Sequence, residues 1–287
     1  MKLYSRAPAK INFFLEIKNK RADGYHNIKS IMQTIGLYDE LYFELTDSEI
    51  SLKCENCNLS NNKKNIIYKT IQAVKKYYNI SNGVKVYLKK RIPIKAGLGG
   101  GSSDAASTLK SLIKLWKIKT SKNEIKKIAI KLGADVPFFL TAGTALCEGI
   151  GEIITPLKSI GKLNVVLVNP GFGLSSNNVY KKIKFPLKNQ IKINNIFKSF
   201  ICNHFFVKKE MLNYCFNRFE EFIFPNYQEI SKIKKTLSKL CDVSLMSGSG
   251  TTVFGIYSDK TIKTENLKSK LNNHNNWKIW FVKTIDR

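Results

Sequence analysis

Between Pro93 and Ser107 the chain reads Pro-Ile-Lys-Ala-Gly-Leu-Gly-Gly-Gly-Ser-Ser-Asp-Ala-Ala-Ser, with four glycines in the five positions 97–101. Glycine has no side chain to pack and loses more backbone entropy on folding than any other residue, so a core element would not concentrate four of them without compensation. The run 83–90 ahead of it alternates like a strand, and the Ala-rich amphipathic segment from Ser102 to about Trp116 behind it reads as a helix. A glycine loop opening onto a helix start presents free backbone N–H groups at the positive end of the helix dipole. That arrangement is an anion site, most often a phosphate site. A plain flexible turn leaves unexplained the two serines and the helix former directly behind the glycines.

Known phosphate loops narrow the choice. A P-loop needs Lys and then Ser or Thr after its last glycine, whereas Ser102 and Ser103 follow here with no lysine. A dinucleotide fingerprint reads G-x-G-x-x-G in the first strand–helix turn, but Gly97-Leu98-Gly99-Gly100-Gly101-Ser102 ends in serine and lies mid-chain. Protein kinases place their glycine loop between two strands, not before a helix. The remaining pattern, Pro-x-x-x-Gly-Leu-Gly-x-x-Ser-Ser-x-Ala, resembles the phosphate loop of the GHMP small-molecule kinases.

With 287 residues the chain is long enough for one compact enzyme of one or two domains. No run of 18 apolar residues occurs, so no transmembrane helix and no membrane partner is expected. Met1 to Arg6 lead directly into strand-like sequence, and no signal peptide is expected. Six cysteines spread over this length do not make a disulfide framework. Cys54-x-x-Cys57 has no partner pair and is weak as a zinc site, which favours reduced thiols in a cytoplasm and no protein-held metal. The net charge of +27 raises nucleic-acid binding, yet it comes from 43 Lys and only 5 Arg scattered among abundant Asn and Ile. Phosphate and base recognition favour the bidentate fork of Arg. The charge therefore reads as compositional bias, and no specific nucleic-acid partner is expected.

Along the chain, Lys10 to Lys18 reads as a strand with Ile11, Phe13, Leu15 and Ile17 on one face and Lys10 and Asn12 on the other. That pattern fits an exposed edge and polar groups aimed into a cleft equally well. Asp23-Gly24 marks a turn that leaves Tyr25 and His26 exposed, placed to stack on and hydrogen-bond a ligand. Strands near 39–46 and 49–55 read as a hairpin, and Asn56 to Lys64 as a loop. Residues 65–77 have helical spacing with Ile67, Ile71 and Val74 on one stripe. Ser121-Lys122-Asn123-Glu124 is a capping box that starts a helix ended by Gly133. Asp135, flanked by apolar residues just past that helix, is either buried with a partner or placed for chemistry. Strands follow at 143–148 and 162–168, then a short helix at 176–182, a polar stretch at 186–205, and helices at about 207–223 and 226–240. The end reads strand 243–246, turn 247–250, strand 252–257, helix 260–271 and strand 277–283, the order of a split βαβ layer. The pattern changes near 155–162, which sets expected domains of 1–157 and 158–287.

The resemblance to GHMP kinases extends well beyond the loop. It also rests on Pro8-Ala9-Lys10-Ile11-Asn12, Arg21-Ala22-Asp23-Gly24-Tyr25-His26, Leu132-Gly133-Ala134-Asp135-Val136-Pro137 and Ser247-Gly248-Ser249-Gly250, all in family order. The Asp-Gly-Tyr-His element is similar to the branch whose acceptor is a 4-diphosphocytidyl-linked methylerythritol. Residues 184–210 depart from the pattern, and nothing is carried over there.

The resemblance implies an α+β, two-domain fold. Its N-terminal ATP-binding half would be ribosomal-protein-S5-domain-2-like and its C-terminal half a split βαβ. It implies ATP with Mg2+ as co-substrate and phosphorylation of the tertiary 2-hydroxyl of the cytidylyl substrate; a cytoplasmic monomer or weak homodimer is expected. Pro93, Ile94, Lys95, Ala96, Gly97, Leu98, Gly99, Gly100, Gly101, Ser102 and Ser103 would wrap the ATP phosphates, with Asn65 at the adenine. Ser102 or Ser103 could approach the metal. Lys10 and Asp135 would be the catalytic pair, and Asn12, Tyr25, His26, Tyr180, Gly248 and Ser249 would hold the acceptor. The alternatives are another GHMP small-molecule kinase and a basic RNA-binding protein of the same N-terminal fold. RNA binding calls for clustered Arg, which is lacking. A dead homologue would have lost Lys10, Asp135 or the glycines, all of which are present.

Overall fold

The apolar alternation that begins the chain carries it into a strand longer than expected, β1 (Lys2–Lys20), followed by an equally long β2 (His26–Thr46). The computed structural model describes residues 1–55, 64–141, 143–183, 215–272 and 276–286. These form two compact units, each assembled from separated segments: Met1–Ala9, Leu37–Pro93 and Gly99–Thr141 in the first, and Lys10–Gly36, Ile94–Leu98 and Ala142–Arg287 in the second. The long strands β1 and β2 each contribute to both.

In the first unit, β4 (Gly83–Lys89) pairs antiparallel with Glu40–Thr46 of β2 and parallel with β3 (Ile50–Glu55). The expected hairpin between 39–46 and 49–55 does not form, because β4 lies between these two strands. A parallel β3–β4 pair needs a crossover, and α1 (Ile66–Tyr78) supplies it. The α1 stripe Ile67, Ile71 and Val74 is buried as its spacing requires, and Asn65 caps its N-terminus. Helix α2 (Gly100–Leu115) starts two residues earlier than expected. Helix α3 (Lys122–Leu132) carries the complete Ser121–Glu124 capping box and stops at Gly133, and α4 (Val136–Thr141) follows Asp135 directly. Most of the loop expected at 56–64 lies outside the described residues.

In the second unit, β5 (Thr144–Gly149) pairs with Ile28–Gln33 of β2 and with β6 (Ile153–Pro156), a strand not foreseen. The expected helix at 207–223 is corrected in its described part. Phe216–Asn217 is a short strand, β8, running parallel to β1 at Phe14 and Leu15, and only α6 (Glu220–Ile223) is helical. The tertiary pairing with β1 overrides the local helical pattern. Residues 186–205 and the start of that segment lie outside the described residues.

The remaining elements of this unit are β7 (Asn164–Asn169), α5 (Ser176–Lys181), α7 (Gln228–Leu240), β9 (Val243–Met246), β10 (Val253–Tyr257), α8 (Thr264–Leu271) and β11 (Lys278–Lys283). Their sheet runs β11-β7-β10-β9, antiparallel throughout. Strand β7 therefore splits the β10–α8–β11 unit, as the βαβ expectation requires. Ile230, Ile233 and Leu237 of α7 and Leu267 and Leu271 of α8 cover it, packed with Val166, Val168, Met246 and Val253. Cys147, Cys215 and Cys241 are thiols, whereas Cys54 is disulfide-bonded, which departs from the reduced-thiol expectation there.

Candidate active site

In the first unit, Gly99 ends the glycine loop in a left-handed conformation (φ +69°), and α2 begins without any side-chain cap or acidic residue in its first turn. The helix therefore offers its leading amides and dipole to an external anion. A Cβ on Gly100 would lie 2.9 Å from Ile92 Cγ2, so that backbone is packed tightly, whereas a Cβ on Gly101 would meet nothing nearer than Ile66 Cγ2 at 3.9 Å. One face of the loop is thus sealed and the other open. Ser103 Oγ is buried with no hydrogen-bond partner among the described residues. Ser102 Oγ lies 3.9 Å from where a Gly133 Cβ would be, two residues before the half-buried Asp135. Asn65 has a local task as well, its Oδ1 accepting from Ile67 N at 2.9 Å.

In the second unit, Lys10 and Asn12 are 3 % and 0 % exposed, which decides against an exposed edge. Lys10 Nζ donates to Asn12 Oδ1 at 2.6 Å, Asn12 Nδ2 donates to Ser30 Oγ at 2.8 Å, and that hydroxyl donates to Phe14 O at 2.7 Å. The Lys10 backbone N–H donates to Leu98 O at 3.0 Å, tying the start of the glycine loop to the strand that bears the amine.

The Ser247–Gly250 turn braces the same stretch. Ser247 Oγ donates to Gly97 O at 2.9 Å, and Thr252 N donates to Ala96 O at 3.2 Å. Gly97 has φ +77°, and a Cβ there would stand 1.9 Å from Ser247 O, so only glycine permits this crossing. A Cβ on Gly248 would stand 3.1 Å from both Lys10 Nζ and Gly97 O. Lys95 O accepts from Leu174 N at 2.9 Å, and Ser249 Oγ bonds Ser176 Oγ at 2.7 Å. Lys10, Asn12, Gly97, Gly248 and Ser249 are thereby brought into one neighbourhood.

The aromatic residues divide. The Asp23-Gly24 turn closes through Tyr25 N to Asp23 Oδ1 at 3.1 Å, and the Arg21 guanidinium holds the Asp23 carboxyl below its usual range. Tyr25 is 58 % exposed as expected, but His26 is only 8 % exposed, which corrects its expected exposure. His26 already belongs to β2, and its ring stacks on Tyr180 at 5.1 Å and 20°. Burial, and then the charge of Lys20, push the His26 pKa below its ordinary value. Tyr180 is met edge-on by Phe219 at 4.9 Å.

Sequence reasoning missed Ser30 and Asn169, and also Asn217 and Glu220, which hydrogen-bond the backbone of Met246 and Gly248 in and beside the turn. Asn169 Nδ2 donates to Thr251 Oγ1 and Thr252 Oγ1, both at 3.0 Å, supporting the turn's exit. Asn169-Pro170-Gly171 is a visible break in the sequence, but nothing local marks the other three.

Two family models match the chain: "GHMP kinases N terminal domain" over residues 65–143 and "GHMP kinases C terminal" over 207–275. A 4-diphosphocytidyl-2-C-methyl-D-erythritol kinase of Clostridium beijerinckii is 43 % identical, with 88 % of this chain and 90 % of the relative covered. The enzyme of that name from Thermodesulfovibrio yellowstonii is 40 % identical over 93 % of each chain. Among solved structures, a 4-(cytidine 5'-diphospho)-2C-methyl-D-erythritol kinase superposes with a TM-score of 0.79 at 27 % identity, covering 98 % of this chain and 99 % of that one. The Methanococcus jannaschii mevalonate kinase, at TM-score 0.74 and 16 % identity, shares the fold.

Proposed function

The chain belongs to the 4-diphosphocytidyl-2-C-methyl-D-erythritol kinases, the GHMP kinases that phosphorylate this small-molecule alcohol with ATP in isoprenoid precursor synthesis, and from that premise we propose how its residues divide the work. Pro93 to Ser103 wraps the ATP phosphates, supported by the uncapped start of α2 and the open face at Gly101. Asn65 contacts the adenine. Residues 1–157 act as the ATP-binding domain and 158–287 as the C-terminal kinase domain, although the compact units cut across that division by packing Lys10–Gly36 with the C-terminal residues.

Phosphoryl transfer needs a cradle for charge, an in-line hydroxyl and little covalent help. In this reading Asp135 accepts the proton of the acceptor's 2-hydroxyl. Lys10 offsets the charge that develops at the attacking oxygen. Asn12, Gly248 and Ser249 hold the acceptor's polar groups, Tyr25 and Tyr180 flank its cytosine, and His26 reads the base's polar edge.

A Mg2+ ion carried on the nucleotide fits the residues present. Ser103 Oγ is a buried oxygen with no partner among the described residues. Among those residues no group of three His, Cys, Asp or Glu side chains could hold a metal by itself, which suits an ion held mainly by phosphates and water. That ion would neutralise charge on the β- and γ-phosphates. A cytoplasmic monomer or weak homodimer completes the reading, and light scattering tests the assembly.

The observation that carries the proposal is the buried Lys10 amine, on a strand whose backbone also holds Leu98 O of the glycine loop. A coupled ADP-release assay with the cytidylyl acceptor tests it. Asp135→Asn should cut turnover by roughly 10²–10⁴ while calorimetry finds ATP binding almost unchanged. Near-normal turnover would remove Asp135 from the mechanism.

A further inference from the structure

The segment 216–220 is tied into the second unit by several buried hydrogen bonds. Strand β8 pairs with β1 at Phe14 and Leu15, just beyond Lys10 and Asn12. Arg218 N donates to Leu15 O at 2.9 Å, and the buried Arg218 guanidinium grips both oxygens of the buried Glu16 carboxylate at 2.8 and 2.7 Å. That two-point grip fixes the guanidinium in direction as well as position.

From this anchorage Asn217, 1 % exposed, points at the Ser247–Gly250 turn. Its Nδ2 donates to Met246 O at 2.6 Å and to Gly248 O at 2.8 Å, while its Oδ1 accepts from Phe219 N at 3.0 Å. Glu220 Oε1 accepts from Met246 N at 2.7 Å. Three backbone groups in and beside the turn are thereby referred to β1, the strand that carries Lys10.

We propose that Asn217, assisted by Glu220, is a positioning residue for the acceptor site: it sets the Ser247–Gly250 turn at its distance from the Lys10 amine. It touches no reacting atom and acts through Gly248 and Ser249. The inference rests on the reading above that those two residues hold the acceptor.

Steady-state kinetics of Asn217→Ala and Asn217→Asp test it, with both KM values and a thermal melt for each variant. The alanine leaves Met246 O and Gly248 O without their buried donor, and the KM for the cytidylyl acceptor should rise about 10- to 100-fold. The KM for ATP should rise by clearly less, since the turn's bonds to the loop are at Ala96 and Gly97, ahead of the leading amides of α2. Asn217→Asp keeps the shape and the bond from Phe219 N but sets a carboxylate oxygen against two carbonyl oxygens, so it should be worse than alanine. A purely structural role would lower the active fraction and leave both KM values alone. If Asn217→Ala fails to fold, Asn217→Ser, which keeps a hydroxyl donor, is measured in its place.

Unchanged KM values in a folded variant, or a parallel rise in both, overturns the proposal. Ser249→Ala then separates the two levels of the argument. If that variant raises the acceptor KM while Asn217→Ala does not, the positioning role alone fails. If neither raises it, the assignment of the turn to the acceptor fails as well.

Discussion

Replacing Gly97 by alanine should be among the costliest single-methyl changes in this chain. At φ +77° an L-residue is strained by about 1–2 kcal/mol. The new Cβ would stand 1.9 Å from Ser247 O and 2.9 Å from Ser247 C, so one of the two crossing segments must move. Displacing packed backbone in this way typically costs ~1–3 kcal/mol. The shift also strains or breaks the Ser247 Oγ bond to Gly97 O, a loss of about 1 kcal/mol. Together these effects come to about 3–6 kcal/mol, a large share of a typical folding free energy. Urea denaturation reads the loss directly, and the KM for ATP should rise because the start of the glycine loop is displaced. Gly101→Ala is the paired control. Its Cβ only touches Ile66 Cγ2 at 3.9 Å, and alanine in a helix is favoured over glycine by up to about 1 kcal/mol. That variant should be as stable as the parent, its penalty confined to ATP. A Gly97→Ala protein with the parent's urea midpoint, or a Gly101→Ala protein equally destabilised, refutes the reasoning.

Other expectations concern side chains whose surroundings are now defined. His26 should be neutral at pH 7, its ring-proton NMR titration having a midpoint below the ordinary 6.5; a midpoint above it contradicts the burial argument. Because that pKa is lowered, the stability it contributes is present above 6.5 and is lost as pH falls through the folded value. Burial pushes the Cys241 thiol up to about 12 from 9, so folded protein keeps this proton where unfolded chain loses it, and stability falls as pH rises from 9 towards 12. Peptide-resolved alkylation should accordingly find Cys241 far slower in the native than in the urea-unfolded protein, and equal rates would place the thiol at the surface. Tyr25→Ala should weaken cytidine and uridine analogues about equally, whereas His26→Ala should mainly erase the difference between them. Retention of full cytidine preference by His26→Ala would end that residue's specificity role.

The parts of this fold legible in the sequence are those whose cause is local. The Ser121–Glu124 capping box, the α1 stripe and the Ser247–Gly250 turn each carry their signal within a few residues, and each forms where expected. The β2–β3 hairpin fails for the opposite reason. Asp47-Ser48 looks like a hairpin turn, but the partner of both strands is β4, some thirty residues further on, and no short-range pattern names it. Period-two alternation assigns Lys10 and Asn12 to one face, yet it cannot say what covers that face. Burial decided the matter only once β1 had its neighbours. Asn217 was invisible because its carbonyl partners lie 29 and 31 residues away while its own neighbours suggest a helix.

The grip of Arg218 on Glu16 spans 202 residues of chain, and this separation has a consequence for synthesis on the ribosome. By the time Thr141 has emerged, every segment of the first unit exists and can close its contacts. Strand residues Lys10–Ile17 belong to the second unit and must wait for β8, and β7 must wait for β11 near the end of the chain. An apolar strand with an unpaired edge is then held open while the next 76 residues, from 142 to Asn217, are made, the situation in which nascent chains recruit chaperones or aggregate. Translation speed after residue 141, and not the stability of the finished enzyme, would then govern how much active kinase a cell obtains.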